Sequence, residues 1–191
     1  SHTNSKYLAR HILPTELRAT SNLEEAFAFS QNYVLAIPSS QLRQTLTEWK
    51  SRFSEGCLVV STLKGIEIST QLRMTEVIVE ILGPQKIAMI TGPNQADELV
   101  LRQPAGAVAA ATTQAISEEV RALFRTPYYR VYTSVDLQGC ELAGAIKNVI
   151  ALAVGISLGM GYGENTQAML ITRGLNEVAR LCAAHGSDPL T

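Results

Sequence analysis

Short apolar segments alternate with segments of helical periodicity between residues 31 and 136, and this alternation constrains the fold more than any other feature. It predicts five strands, at residues 32–37, 57–61, 86–90, 107–111 and 129–132. Short apolar strands that alternate with helices are typical of a parallel sheet covered by helices on both faces. The sequence therefore predicts an α/β fold built on a doubly wound, Rossmann-type parallel sheet.

Capping and stop signals predict where the helices between these strands begin and end. Ser69 or Thr70 is expected to cap the helix after the second strand, and Gly83 is expected to end it. Asn94 and Ser117 are expected to cap the two helices that follow, because both side chains can accept a hydrogen bond from a free backbone N–H.

The chain changes character after Asp136. Residues 137–160 are rich in alanine, glycine, isoleucine and valine without strand punctuation, and the remainder is helical. We therefore predict two domains, a partial doubly wound domain over residues 1–136 and the start of an all-α domain over residues 137–191. The glycine-rich residues 159–163 follow no predicted strand, so we interpret them as a turn between helices and not as a phosphate loop.

Composition excludes several classes of protein. The chain has 46% apolar and 17% charged residues, with 16 Lys+Arg against 17 Asp+Glu, so neither disorder nor binding to nucleic acid is indicated. Cys57, Cys140 and Cys182 are widely separated in apolar runs and are expected to be buried thiols, and no metal site is predicted. Residues 149–160 are shorter than the roughly 18 apolar residues of a membrane span. We expect a soluble cytoplasmic protein with no membrane span and no signal peptide.

Three turns are expected to share one crevice. Ligands of open α/β sheets bind beyond the carboxyl ends of the strands, which here are followed by Pro38 and Ser39, by residues 63–65 and by residues 92–94. Lys64 in the second turn would present its ammonium group to a phosphate or an oxyanion, although an exposed loop lysine is the simpler interpretation. Backbone N–H groups of the third turn could meet an anion, or form an ordinary tight turn.

Lys147 is the most informative residue. Its neighbours three and four residues away on a helix are Ala143, Gly144, Ile150 and Ala151. A lysine that projects from such a small, apolar face is expected to be desolvated, and desolvation lowers a lysine pKa toward that of a general base. The alternative is a side chain that extends along the apolar surface to reach water.

Five collinear segments resemble a known family. They are residues 63–67 (LKGIE), 91–98 (TGPNQADE), 124–126 (FRT), 141–151 (ELAGAIKNVIA) and 165–175 (NTQAMLITRGL). In order and spacing they resemble the NAD(P)-dependent sn-glycerol-3-phosphate dehydrogenases, oxidoreductases that interconvert dihydroxyacetone phosphate and glycerol 3-phosphate for glycerophospholipid synthesis. The resemblance covers nearly all of residues 5–191. It implies an NAD(P)-binding Rossmann domain, a 6-phosphogluconate dehydrogenase-like all-α domain, and NAD or NADP as cofactor. The alanine- and glycine-rich helical segment could support a close dimer, so we expect a homodimer.

The resemblance also implies roles for individual residues. Lys147 matches the lysine that transfers a proton at the C2 oxygen of the substrate. Substrate contacts are implied for Lys64, Gly92, Asn94 and Asn148. Cofactor contacts are implied for Pro38, Ser39, Lys64 and Ala96.

The family's first strand and its glycine-rich fingerprint do not precede residue 7. We therefore expect the middle of a longer enzyme, with little turnover from these residues alone. Two alternatives stay open at this point. One is another two-domain dehydrogenase, of the ketopantoate reductase, 2-hydroxy-acid or 6-phosphogluconate type. The other is a non-catalytic dimerisation remnant, against which the presence of Lys64 and Lys147 argues.

Overall fold

The computed structural model describes residues 2–189. The strands in this range are β1 (Thr3–Asn4), β2 (Leu8–Ile12), β3 (Asn32–Leu35), β4 (Leu58–Ser61), β5 (Lys86–Thr91), β6 (Ala105–Ala111) and β7 (Tyr129–Ser134). The α-helices are α1 (Leu23–Phe29), α2 (Leu42–Trp49), α3 (Met74–Leu82), α4 (Ala96–Val100), α5 (Gln114–Phe124), α6 (Leu137–Gly159) and α7 (Glu164–Ala184). Strands β1 and β2 pair as a small antiparallel sheet, apart from the main one.

The main sheet has the strand order β3-β4-β5-β6-β7, so all five predicted strands are confirmed. Strands β3, β4 and β5 are parallel, as expected, and β6 and β7 are parallel to each other. The pairing of β5 with β6 is antiparallel, with Ala88 opposite Ala111, and the sheet is therefore mixed instead of wholly parallel. A parallel crossover needs a helix that packs on a face of the sheet. Helix α4, which connects these two strands, has no buried residue and leaves the chain free to reverse direction.

Both faces of the sheet are covered, because successive strand residues point to opposite sides. Val59 and Ile87 face helices α2 and α3, and they share a core with Leu46 and Ile78. On the opposite face, strands β4 to β7 form a core with Val120 of α5, which packs against β5, β6 and β7. The α/β fold class predicted from the alternating pattern is thus confirmed.

Three helices begin elsewhere than the caps predicted, and α4 begins after Gln95 instead of Asn94. Helix α3 begins four residues after Thr70, whose hydroxyl donates to the Glu67 carboxylate instead of capping a helix. Helix α5 begins after Thr113, whose side chain accepts from the N–H of Ile116. Ser117 therefore lies inside α5, fully buried. Gly83 ends α3, as predicted.

Helices α6 and α7 are joined by residues 160–163, which form the predicted turn between helices. The first turns of α6 pack on the sheet, where Cys140 meets Met89 and Ala110. Beyond them α6 packs along α7 and is mostly exposed. By length and composition alone α6 could cross a membrane, so the expected lack of a membrane span stays a prediction.

Replacing Leu46 with alanine should destabilise the fold strongly. The Leu46 side chain is fully buried between α2, α3 and the sheet, at 0% exposure. Its truncation leaves a cavity, and the expected loss in the free energy of unfolding is about 2–5 kcal/mol. Leu123→Ala is the matched control, because Leu123 is also helical but 52% exposed, and it should cost less than about 1 kcal/mol. Urea unfolding of both variants measures the difference, and equal losses would contradict this account of the core.

Candidate active site

Lys64 joins the ends of two neighbouring parallel strands. It lies in the turn after β4, and its Nζ donates a hydrogen bond to the carbonyl oxygen of Gly92, 2.9 Å away in the turn after β5. The side chain is half-buried, so the ammonium group has lost part of its water. The two turns predicted to share a crevice are therefore bonded to each other at its edge.

Gly92 can only be a glycine in this arrangement. A Cβ at this position would lie 2.5 Å from the carbonyl oxygen of Gly106 and 3.0 Å from the Cα of Ala107. Both neighbours are backbone atoms of β6, which cannot rotate aside. The turn after β5 therefore lies directly against β6, and in this position its carbonyl group meets the Lys64 ammonium.

A second close contact brings Lys147 to the same place. A Cβ on Gly144 of α6 would lie 3.0 Å from Oγ1 of Thr91, at the end of β5, so this helix packs tightly on the sheet. Lys147 follows one turn later on α6. Helix α6 and the end of β5 border a cavity of about 270 Å³ that is open to solvent. Its lining includes Lys64, Thr91, Gly92, Ala143, Gly144 and Lys147.

The two lysines differ from expectation in their burial. Lys147 lines the cavity but is exposed, so the desolvation expected for it is wrong. Lys64 is the lysine that is desolvated. Its partial burial lowers its pKa, and the nearby charge of Lys147 lowers that pKa further. The helical spacing correctly predicted that Lys147 lies on a face of small residues. It could not show that this face reaches the solvent-exposed mouth of the cavity.

A second cavity, of about 590 Å³, opens at the carboxyl ends of β3, β4 and β5. Ser39, Lys64 and Asn94 line it, which brings together one residue from each of the three predicted turns. Asn94 does not cap α4, since Gln95 occupies the N-cap position. Burial raises the pKa of Tyr129. Lys64 borders both cavities.

Three predicted site residues stand apart from this geometry. Pro38, Ala96 and Asn148 are exposed, and within residues 2–189 they are not among the lining of either cavity. Their roles stay predictions. Thr91 and Tyr129 line the cavities and were missed, although the position of Thr91 at the end of a predicted strand was a usable signal.

The cysteines are buried thiols, as predicted. The three cysteines are buried free thiols: Cys57, Cys140 and Cys182. Burial raises the pKa of each, to about 11 for Cys140, which keeps these thiols protonated at neutral pH. Across the described part of the chain, no group of three or more histidine, cysteine, aspartate or glutamate side chains could hold a metal ion.

Comparison with known proteins gives consistent matches along the chain. A family model described as "NAD-dependent glycerol-3-phosphate dehydrogenase N-terminus" matches residues 1–117, and one described as "NAD-dependent glycerol-3-phosphate dehydrogenase C-terminus" matches residues 136–191. A Streptomyces coelicolor protein named glycerol-3-phosphate dehydrogenase (NAD(P)+) is 47% identical over 193 residues, covering 100% of this chain and 57% of the relative. A Frankia casuarinae protein of the same name is 48% identical over 98% of this chain and 56% of the relative.

The fold gives the same result as the sequence. The crystal structure of glycerol-3-phosphate dehydrogenase from Coxiella burnetii superposes with a TM-score of 0.91 at 29% identity, covering 98% of this chain and 57% of that one. The chain therefore spans a little over half the length of the relatives that it matches.

The lowered pKa of Lys64 predicts a pH-dependent stability. Its pKa is 10.5 when unperturbed and lower in the folded protein, so between the two values the unfolded state binds more protons. The free energy of unfolding should therefore rise with pH across this window, relative to that of a Lys64→Met variant. Below this pH window Lys64 is protonated in both states, so the free-energy cost of burying its charge is fully present.

Urea unfolding of wild type and Lys64→Met from neutral pH to pH 10.5 measures this difference, because ionisations common to both cancel. Lys147→Met should make the rise shallower, since it removes the second cause of the shift. A difference between wild type and Lys64→Met that stays constant or falls with pH contradicts the burial of the Lys64 charge.

Proposed function

Because the chain belongs to the NAD-dependent glycerol-3-phosphate dehydrogenase family, we propose that the full-length protein interconverts dihydroxyacetone phosphate and sn-glycerol 3-phosphate. Such an oxidoreductase uses NAD or NADP and supplies glycerol 3-phosphate for glycerophospholipid synthesis. One observation carries the proposal: Lys64 from the sheet and Lys147 from α6 line the same cavity, at the carboxyl ends of the parallel strands. The relatives share the name of this activity.

Lys147 is proposed as the catalytic residue. Reduction of a ketone places negative charge on its oxygen, and a positioned ammonium group can give that oxygen a proton. In the reverse direction the amine takes the proton back from the C2 hydroxyl. The exposure of Lys147 allows it to exchange this proton with solvent between turnovers.

Lys64 is proposed to bind the substrate and to stabilise charge. Two ammonium groups beside one largely apolar cavity repel each other, and an anion between them relieves that repulsion. Both dihydroxyacetone phosphate and glycerol 3-phosphate carry a phosphate group. Gly92, Asn94 and Asn148 are the further substrate contacts proposed, of which Gly92 lines this cavity and Asn94 the adjacent one.

We propose that the second cavity binds part of a dinucleotide. It lies at the carboxyl ends of three parallel strands, where such sheets bind nucleotides, and it joins the first cavity at Lys64. We propose that Ser39 and Lys64, with Pro38 and Ala96 nearby, hold NAD or NADP here. The bound cofactor would exchange a hydride with C2 of the substrate. Lys64, which borders both cavities, would then contact substrate and cofactor together.

The same proposal extends to organisation and location. We place the domain boundary between residues 136 and 137, where α6 begins. We propose a cytoplasmic protein that does not span the membrane, since the first turns of α6 pack on the sheet and the rest of that helix packs along α7.

A homodimer is expected for the full-length protein. The alanine- and glycine-rich helix α6 could support a close subunit contact. Apolar side chains exposed along α6 and α7 in this chain, among them Val149, Leu152, Ile156, Met169 and Ile171, would be covered by the further residues of the full-length protein or by a second subunit. Sedimentation equilibrium of the full-length protein should give twice the mass of one chain. The mass of a single chain at micromolar concentration would contradict this expectation.

Replacing Lys147 with methionine in the full-length protein should abolish most of the activity. Methionine keeps the length of the side chain but cannot transfer a proton, so kcat for NADH oxidation with dihydroxyacetone phosphate should fall by about 10²–10⁴-fold. Lys64→Met should raise the KM for dihydroxyacetone phosphate as well as lower kcat. NADH absorbance measures all of these rates.

Lys50→Met is the control, because Lys50 is exposed in the turn after α2 and does not line the two cavities described. It should leave both constants unchanged. A wild-type protein that oxidises neither NADH nor NADPH with dihydroxyacetone phosphate contradicts the proposed reaction, and a fully active Lys147→Met variant contradicts the role of Lys147.

A further inference from the structure

Glu141 is a buried carboxylate with a complete set of partners. It lies in the second turn of α6 and is 6% exposed. Its oxygens accept hydrogen bonds from the backbone N–H of Thr75 at 2.9 Å, from the Thr75 hydroxyl, and from Nη1 of Arg73 at 2.8 Å. A buried charge is costly unless it is paired and hydrogen-bonded. This group is both.

The partners of Glu141 lie at the start of α3. Thr75 is the second residue of this helix, so its N–H has no acceptor within the helix, and the Arg73 N-cap supplies none for it. Glu141 of α6 supplies that acceptor across the interface. Its negative charge also lies at the positive end of the α3 dipole. Nη2 of Arg73 also donates to a carboxylate oxygen of Glu76 at 2.7 Å, so the guanidinium is held by Glu76 as well as by Glu141.

The same contact connects the two segments that carry the lysines. The chain runs from Lys64 through a loop to Arg73, and an isolated antiparallel bridge between Ile66 and Arg73 closes that loop. Glu141 precedes Lys147 by six residues on α6, which is about 9 Å along a rigid helix. One carboxylate therefore fixes the Lys64 loop on one side and the Lys147 helix on the other.

Glu141 is one of several contacts of the first turns of α6, where Cys140 also packs on Met89 and Ala110 of the sheet. Gly144 lies against Thr91 at the end of β5, one turn before Lys147. Glu141 and Gly144 are three residues apart on one face of α6, but Glu141 contacts the start of α3 and Gly144 the end of β5. Together they fix the direction of α6 relative to the sheet, and with it the place of the Lys147 side chain beside Lys64.

We propose that Glu141 is a positioning residue that sets the separation of Lys147 from Lys64 through its bonds to Thr75 and Arg73. This inference rests on the proposed function, since it concerns the efficiency of the same proton transfer. Glu141 does not line the cavity and has no proposed contact with the substrate. Its contribution acts entirely through the placement of α6.

The test uses Glu141→Gln and Thr75→Val in the full-length protein. Both substitutions keep the side-chain shape, while the first removes the charge and the second removes the hydroxyl donor. We expect kcat with dihydroxyacetone phosphate to fall by about tenfold to a hundredfold, because reacting groups displaced by about 1 Å lose that much rate. The KM for NADH should stay within about twofold of wild type.

A double-mutant cycle separates positioning from general stability. If Glu141 acts through Lys147, then Glu141→Gln should lower the residual kcat of a Lys147→Met protein by less than about twofold. Glu67→Gln is the matched control, because Glu67 lies in the same loop as Arg73 but pairs with Arg43 of α2, away from α6. It should lower the unfolding temperature without lowering kcat.

The outcomes distinguish this inference from the function on which it rests. Wild-type kcat in both Glu141→Gln and Thr75→Val, or a full further loss of kcat in the Lys147→Met background, overturns the positioning role alone. A wild-type protein without the activity, or an active Lys147→Met protein, overturns the proposed function and the positioning role with it. If Glu141→Gln fails to fold, the Thr75→Val result decides.

Discussion

The site depends on how closely α6 approaches the end of β5. Gly144 has no side chain to separate the helix from Thr91, and Gly92 has none to separate the following turn from β6. Because both positions lack a side chain, α6 comes close enough to the sheet to line one small cavity together with Lys64. A larger residue at position 92 would push the turn away from the backbone of β6, and one at position 144 would displace the Thr91 hydroxyl or the helix.

The reversal of direction after β5 serves the same arrangement. Because β6 runs antiparallel to β5, its first residues lie beside the end of β5, where Gly106 contacts Gly92. Strand β7 is parallel to β6, so its carboxyl end lies on the side of the sheet where β5 begins, and α6 starts there. Helix α6 can then run back across β5 and β6 toward the cavity. A wholly parallel sheet would have started α6 on the side where the cavity lies.

The sequence predicted the elements better than their ends, for a physical reason. Five strands and the turn after α6 follow from apolar periodicity, which is local. Thr70 and Ser117 are good capping residues by type, but α5 is capped by Thr113, an equally good type four residues earlier, and the first turn of α3 is bonded by the distant Glu141. The crevice residues Lys64 and Gly92 were likewise found from strand ends. Glu141 was missed because its partners lie 66 and 68 residues away, beyond any local pattern.

The charges in this region have separate tasks, and their separation is what leaves the cavity positive. The Glu141 oxygens are occupied by Thr75 and Arg73. Arg73 also binds Glu76, so one guanidinium is shared by two carboxylates, and in the bonds described none of the three pairs with Lys64 or Lys147. Lys64 receives only the Gly92 carbonyl as a partner in the bonds described, and a dipole cannot cancel a full charge. The positive charge of Lys64 and Lys147 therefore remains available to an anion entering from solvent.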